Sequence, residues 1–361
     1  MSHSSSRSFD VLFVPGREPD YIRNWMIRQA LGRFSRLTVA TDSVRPASWR
    51  YARALGKAAL HLPLRPDFVL VGFYGQPLVP ALRGLTRQPL ILDAYVSTYD
   101  TLCFDRGRFR PRSAMGRLAY ALDLWSCRWA DHLLFDTQSH RDYFIQTFGL
   151  APGKTSVVYV GCDEAHFAAR PVSRSTDTFD VFTYGSFLRL HGVEHIMHAA
   201  KLLVGHDDIR ITVAGDGVQL TEMKRLARDL GLSNVRFPGW IDFAELPARI
   251  ARSDLCLGGH FSDVPKASRV IATKTFQFLA MGQPVVVGDS PANREVLVHG
   301  EHAYLCRMAD PEALASAIVE LREDRGFRSR LGEAGRALYQ ECFTVEATSR
   351  SIAGVLDNMA C

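Results

Sequence analysis

Three cations and a neutral amide crowd one short span, "DVPKASRVIATKTFQF", as Lys266, Arg269, Lys274 and Gln277. Arginine offers a planar fork of donors and lysine a compact point charge, so such a set is suited to holding an anion. Lys274 stands where a helical pattern begins, and a cation there is electrostatically unfavourable unless an anion pairs with it. The plain alternative is a solvated basic loop with a lysine at a helix start. Gln277, in the middle of that helix, is a polar residue among apolar neighbours.

Two other motifs suggest different chemistry and carry less. "HGVEH", His191 to His195, matches the H-x-x-E-H pattern of some zinc peptidases, and on one helix the two histidines would share a face. Gly192 is a poor former for such a helix, and no third ligand stands out. "GLAPGKT", Gly149 to Thr155, resembles a phosphate loop, but it has three residues between its glycines where four are required, and it precedes a strand. No metal is expected. "AGDG" at 214–217 reads as a plain turn after a strand.

The elements that must position these residues alternate between strand and helix along the whole chain, which predicts parallel sheets covered by helices. "FDVLFVP", "RLTVAT", "DFVLVGF", "PLILDA", "HLLFDT" and "SVVYVG" are the expected strands of a first half. A polar segment at 170–179 is the expected linker. The alternation then restarts with "DVFTYG", "IRITVAG", "NVRFPG", "SDLCLGG" and "QPVVVGD", most ending at or near glycine, and helices follow at about 310–324, 326–341 and 344–358. The reading is α/β, two Rossmann-like domains facing a central cleft. A start at 1–8 is expected to be disordered, 9–169 to form the first domain, 180–342 the second, and 343–361 a C-terminal helix packing back toward the first. Ligands of open α/β sheets bind beyond the carboxyl ends of the strands, so the glycines there mark the candidate site.

With 361 residues, 47% hydrophobic and 22% charged, the composition is that of a folded protein with room for two cores. The segment "MSHSSSRS" lacks the apolar core of a secretory signal, and no run approaches a membrane span, so a cytoplasmic protein is expected. Seven scattered cysteines without a C-x-x-C pair suggest neither disulfides nor a zinc knuckle. Charge is uneven: residues 1–170 hold 22 Lys+Arg against 14 Asp+Glu, net +8, and the remainder is net −3. "YIRNWMIRQALGRF" and "RPASWRYARALGK" put Arg and Lys beside Trp and Tyr on expected helices. Such helices could rest on an anionic membrane surface, against the alternative of a solvated arginine-rich face.

The second half resembles the nucleotide-sugar-binding domain of glycosyltransferase family 4, retaining enzymes of the GT-B fold. The resemblance is carried by "VVYVGCDEAHF", "YGSFLRLHGVEHIMHAAKLL", "ITVAGDGVQLTEMKRLARDLGLSNVRFPGW", "ARSDLCLG" and "KTFQFLAMGQPVVVGDSPANREVL", in that order. It covers about residues 155–340 closely and the first half more loosely. It implies transfer of a sugar from a nucleotide diphosphate donor on the second domain to an acceptor hydroxyl on the first. No cofactor and no nucleic acid is implied. The acceptor is expected to be a glycan, a lipid-linked sugar or another glycoconjugate, and the protein is expected to work in the cytoplasm or peripherally at the inner face of the membrane.

The sequence departs from the family where charge matters most. Many members carry Arg and Lys in a G-R-x-x-x-x-K-G loop; here Ser186 follows Gly185 and His191 precedes Gly192. Arg269 and Lys274, with Lys266 as a further donor-binding residue, are therefore expected to supply the missing charges at the diphosphate, Arg269 and Lys274 as the catalytic cations. Two family glutamates separated by seven residues are replaced by Arg269 and Gln277. Gln277 then keeps a weaker ribose contact or selects a deoxyribose. Glu295 matches an acidic residue of the family's loop-to-helix turn and is expected to open a helix. Gly239, in "FPGW", matches the loop near the base. On the first domain the resemblance implies sugar or acceptor contacts at Gly16, Arg17, Asp93, Tyr95 and Ser97, with Asp20 and Asp100 nearby. Two other readings remain open: a nucleotide-sugar-binding subunit whose lost cations reflect lost chemistry, and the zinc peptidase.

Overall fold

Buried runs of β-branched and aromatic residues build two parallel six-stranded sheets, each in its own unit, in the computed structural model, which describes residues 8–41, 47–170 and 177–361. The expected disordered start and most of the expected linker lie outside these residues. The second unit runs from Cys162 to Thr344; the first holds the residues before it and recovers Val345–Cys361. Cys162 to Arg170 therefore group with the second unit, ahead of the expected linker.

The first unit contains β1 (Phe9–Val14), α1 (Ile22–Leu31), β2 (Ser35–Val39), α2 (Ala47–His61), β3 (Phe68–Val71) and α3 (Leu78–Leu85). It continues through β4 (Leu90–Asp93), a short α4 (Thr98–Asp100), α5 (Ala114–Trp129), β5 (His132–Phe135), α6 (Gln138–Phe148) and β6 (Thr155–Val157). The strand order is β2-β1-β3-β4-β5-β6, all parallel. Strands β3 and β4 are buried along their whole length because helices cover both faces, which explains their unbroken apolar sequence.

The second unit contains β7 (Phe179–Gly185), α7 (Val193–Leu202), β8 (Ile209–Gly215), α8 (Leu220–Asp229), β9 (Val235–Arg236), α9 (Leu246–Arg252) and β10 (Leu255–Leu257). After these come α10 (Thr273–Ala280), β11 (Val285–Gly288), α11 (Pro291–Arg294), β12 (Tyr304–Cys306), α12 (Pro311–Glu323) and α13 (Arg325–Cys342). Its order is β12-β11-β10-β7-β8-β9, also parallel. The chain reverses direction across the sheet between β7 and β10, so the loops leaving those strands diverge and open a crevice. Strand β12 has no counterpart among the expected strands.

A last helix, α14 (Val345–Ala360), packs on α1 in the first unit, as expected. This corrects the reading of "YIRNWMIRQALGRF" as a free basic face. Arg23, Met26, Ile27 and Ala30 are buried, and Ser349 donates from α14 to the Ala30 carbonyl at 3.1 Å. Among the described residues no helix is long and apolar enough to cross a membrane. Five cysteines are buried, and Cys342 and Cys361 are exposed.

Candidate active site

At the crevice of the second unit, β7 ends in Gly185 and its chain turns through Ser186 and a tight 3-10 turn, Arg189–His191, before Gly192 starts α7 in the left-handed conformation. A Cβ at Gly192 would sit 2.4 Å from the Ser262 amide nitrogen, so only glycine lets the two loops meet. His191 therefore precedes the helix that carries His195. The two histidines do not share a helical face, which removes the geometry the zinc reading needed. Among the described residues no cluster of His, Cys, Asp or Glu has a metal-binding arrangement.

What His191 meets instead is His260, from the loop after β10, with parallel rings 5.5 Å apart. A Cβ at Gly185 would lie 3.0 Å from the His191 ring and 3.9 Å from Lys274 Nζ, so three expected residues converge on one point. Lys274 donates to Thr183 Oγ1 at 3.2 Å and to the Tyr184 carbonyl at 3.1 Å, which fixes its ammonium beneath the end of β7. The helix it sits on is only partly exposed there, yet the ammonium has lost most of its water, and that desolvation pulls its pKa down to about 8. Burial, and secondarily Lys274, push His191 down to about 3; burial, His191 and both Lys274 and Lys266 hold His260 well below its ordinary value. Two neutral imidazoles thus stand against two lysines. A positive cluster that keeps its histidines neutral is prepared for an anion.

The remaining expected donor-side residues divide. Lys266 is buried in the turn Pro265–Ser268, close enough for its charge to act on His260, and Arg269 closes that turn half-buried. Gly239, with φ of +83°, accepts from the Gly215 amide at 2.7 Å, which ties the "FPGW" loop to the end of β8 and leaves Trp240 exposed. Gln277 is buried, and its Oε1 accepts from the Tyr184 hydroxyl, an internal partner in place of an open one. Glu295 does not open a helix. Ser290 takes that role by accepting from the Asn293 amide, and Glu295 follows the last turn of α11. His260 was missed by sequence reasoning, although "LGGH" repeats the strand-glycine-polar pattern that marked Gly185.

In the first unit the expected sugar-side residues are less open than anticipated. Gly16 does meet the loop after β3, since a Cβ there would lie 2.4 Å from the Tyr74 carbonyl oxygen, and Arg17 lies 5.2 Å over the Tyr74 ring. Asp20 is exposed. Asp93, however, is fully buried and bound by Arg23 through contacts of 2.8, 3.1 and 3.2 Å, so it is a structural ion pair. Ser97 is also interior. Its hydroxyl caps α4 by accepting from the Asp100 amide and donates to Asp123, whose carboxyl burial pushes up to about 6. Tyr95 stays half-buried in an aromatic group with Tyr21 and Phe73.

Residues 167–338 match the family model described as glycosyl transferases group 1, and residues 7–166 match that of glycosyltransferase family 4. The chain belongs to glycosyltransferase family 4. A lipopolysaccharide core biosynthesis glycosyltransferase of Rhizobium meliloti is 25% identical over 195 residues, 52% of this chain and 54% of that relative. The N-acetyl-alpha-D-glucosaminyl L-malate synthase of Bacillus anthracis is 28% identical over 166 residues, 45% of this chain and 40% of the relative. The chain thus spans about half the length of the curated relatives it matches. Among solved structures, Anabaena HepE in complex with UDP-glucose superposes with a TM-score of 0.74 at 17% identity, covering 97% of this chain and 100% of that one. WaaG, a glycosyltransferase of lipopolysaccharide biosynthesis, gives 0.66 at 14% identity, covering 96% and 99%. Both sheets of the family 4 chain thus have the GT-B pattern.

Proposed function

We propose that the protein is a retaining glycosyltransferase that moves a sugar from a nucleotide diphosphate sugar to an acceptor hydroxyl of a glycan, lipid-linked sugar or related glycoconjugate. The observation that carries this reading is the convergence of Gly185, His191, His260 and Lys274 where the second sheet changes direction. The comparisons support the donor class, since HepE was solved with UDP and with UDP-glucose.

As the bond from sugar to diphosphate breaks, negative charge grows on the leaving oxygens. Lys274 is held by Thr183 and Tyr184 where that charge would develop, and it needs no reorganisation to meet it. His191 stays neutral and contributes a ring N–H in place of the family's second cation. Lys266 adds charge from below, and Arg269 closes the same turn. The glycine at the end of β7 leaves room for phosphate oxygens against bare backbone. In the retaining course a phosphate oxygen of the donor takes the acceptor proton, so no protein base is required. Protein cations then do the work of charge neutralisation, and chelation with EDTA is expected to leave turnover unchanged. Restoration of lost activity by added magnesium would contradict this.

The pKa of Lys274 sets a pH dependence for the donor. Its free-site value of about 8 lies below the ordinary lysine value, so the ammonium is mostly present at pH 7 and is lost as pH rises through 8. A bound diphosphate favours the charged form. The affinity for nucleoside diphosphate is therefore expected to fall by up to about tenfold per pH unit above 8, while affinity for the nucleoside alone stays flat. Titration calorimetry across pH 6.5 to 9.5 checks this.

The direct test of the function is a thermal-shift screen of uridine, guanosine and thymidine diphosphate sugars, followed by product analysis with a crude lipid acceptor fraction. A donor that stabilises the protein and yields a glycosylated product supports the reading. Binding without hydrolysis or transfer supports the binding-subunit reading instead, which the neutral His191 at a family cation position favours.

A further inference from the structure

The exposed surface of the first unit holds an apolar stripe for which glycosyl transfer gives no reason. Along α5, Met115, Leu118, Leu122, Trp125 and Trp129 recur at alternating intervals of three and four, which places them on one helical face. Four of them are openly exposed, Leu118 at 61%, and Leu122 is partly so. The opposite face of α5 packs inward through Ala119, Asp123 and Cys127, so the stripe does not serve the core. Trp125 and Trp129 lie 5.7 Å apart, and the Arg128 guanidinium sits 5.6 Å over the Trp125 ring.

The neighbouring helices continue this character. α3 packs between α2 and α5, and Arg83 donates to the Trp129 carbonyl at 3.0 Å, joining the ends of α3 and α5 beside exposed Leu85. α2 presents Trp49 at 64% and Leu60 at 77% together with Arg53 and Lys57. Across α2, α3 and α5 the only carboxylate is Asp123, which is buried; every exposed charge on the three helices is positive.

We propose that this α2–α3–α5 face rests on an anionic lipid bilayer, with the tryptophans and leucines at the level of the headgroups and Arg117, Arg128, Arg53 and Lys57 against the lipid phosphates. Tryptophan and arginine together fit that boundary, because the rings are apolar with one polar edge and the guanidinium keeps its charge toward phosphate. A second copy of the chain fits poorly. A symmetric pairing of α5 with itself sets Arg117 and Arg128 against their own counterparts with no exposed carboxylate on these helices to separate them. Of the two helices expected at a membrane, α1 is covered by α14, whereas α2 belongs to this face and α5 joins it. The inference goes beyond the donor site and does not depend on it.

The test is co-sedimentation of the full chain with vesicles of phosphatidylethanolamine and phosphatidylglycerol, against vesicles of phosphatidylcholine alone, with light scattering of the protein in solution. The wild type is expected to bind the anionic vesicles, to release in high salt and to be monomeric. Trp125→Ser with Trp129→Ser, and separately Arg117→Glu with Arg128→Glu, are expected to weaken binding on the order of tenfold while leaving the thermal shift given by nucleoside diphosphate unchanged. Equal binding by wild type and both variants overturns the proposal, as does a dimer that the tryptophan variant dissociates. Absence of a nucleotide response in the wild type, with its binding to anionic vesicles intact and weakened in both variants, counts against the donor site and leaves the lipid face standing.

Discussion

Replacing Lys274 by methionine is expected to lower turnover by on the order of 10²- to 10³-fold and also to raise KM for the donor, whose diphosphate loses the same charge in the ground state. The size follows from where the ammonium sits. Enclosed among Gly185, His191 and the end of β7, it acts through a medium with little water to screen it, so its attraction for charge that grows during bond breaking is far larger than at a surface. The two histidines beside it are neutral and cannot take over its charge. The same burial predicts the control. Desolvation lowers the pKa of Lys274 to about 8, so the unliganded fold gains nothing by keeping the charge there, and Lys274→Met should melt at or above the wild-type temperature. A variant that is inactive because it unfolds would melt lower. Turnover within about threefold of wild type would remove Lys274 from the chemistry. Retention of activity in both Lys274→Ala and Arg269→Ala would remove the proposed cation replacement altogether.

The second large effect belongs to the first unit. Asp93→Ala is expected to destabilise that unit by roughly 3–5 kcal/mol, read as a melting transition lower by about 10 °C. The carboxylate has no exposure and holds Arg23 through three contacts, while Arg23 also donates to the Val158 carbonyl. Removing Asp93 leaves a guanidinium buried without its counter-charge, the costliest way to break such a pair. Removing both charges, as in Arg23→Met with Asp93→Leu, should recover most of the loss, because the apolar replacements no longer require hydration. If Asp93→Ala melts within about 2 °C of wild type and instead loses acceptor turnover, the residue faces substrate as the sequence reading had it.

These two residues show what was legible in the sequence. Lys274 could be picked out because its charge conflicts with a helix start, a local rule that needs no knowledge of the fold. At the junction beside it Gly282 adopts φ of +69° after α10, and Pro284 precedes β11, turn residues that act through local backbone geometry alone. The partner of Lys274 was not legible, since Thr183 lies 91 residues away in the chain and only the sheet order brings it close. His260 escaped for the same reason. Asp93 and Ser97 were placed at a sugar because they flank Tyr95 in the loop that the family resemblance puts there. Whether such a residue turns outward depends on what lies across the sheet, and here Arg23 and Asp123 claimed them. Glu295 was assigned to a helix start that Ser290 occupies, two competing caps in one short loop. The exposed stripe of α5 was hidden because its apolar spacing reads as core until the structure shows that the other face does the packing.

The measurement that bears most directly on the account is the affinity gained from the diphosphate group, taken as the difference between nucleoside diphosphate and nucleoside for the base preferred in the donor screen. Wild type is expected to bind the diphosphate on the order of 100-fold more tightly than the nucleoside, and Lys274→Met to lose most of that difference while binding the nucleoside unchanged. An undiminished preference for the diphosphate in Lys274→Met would place the phosphates elsewhere and contradict the assignment of the site.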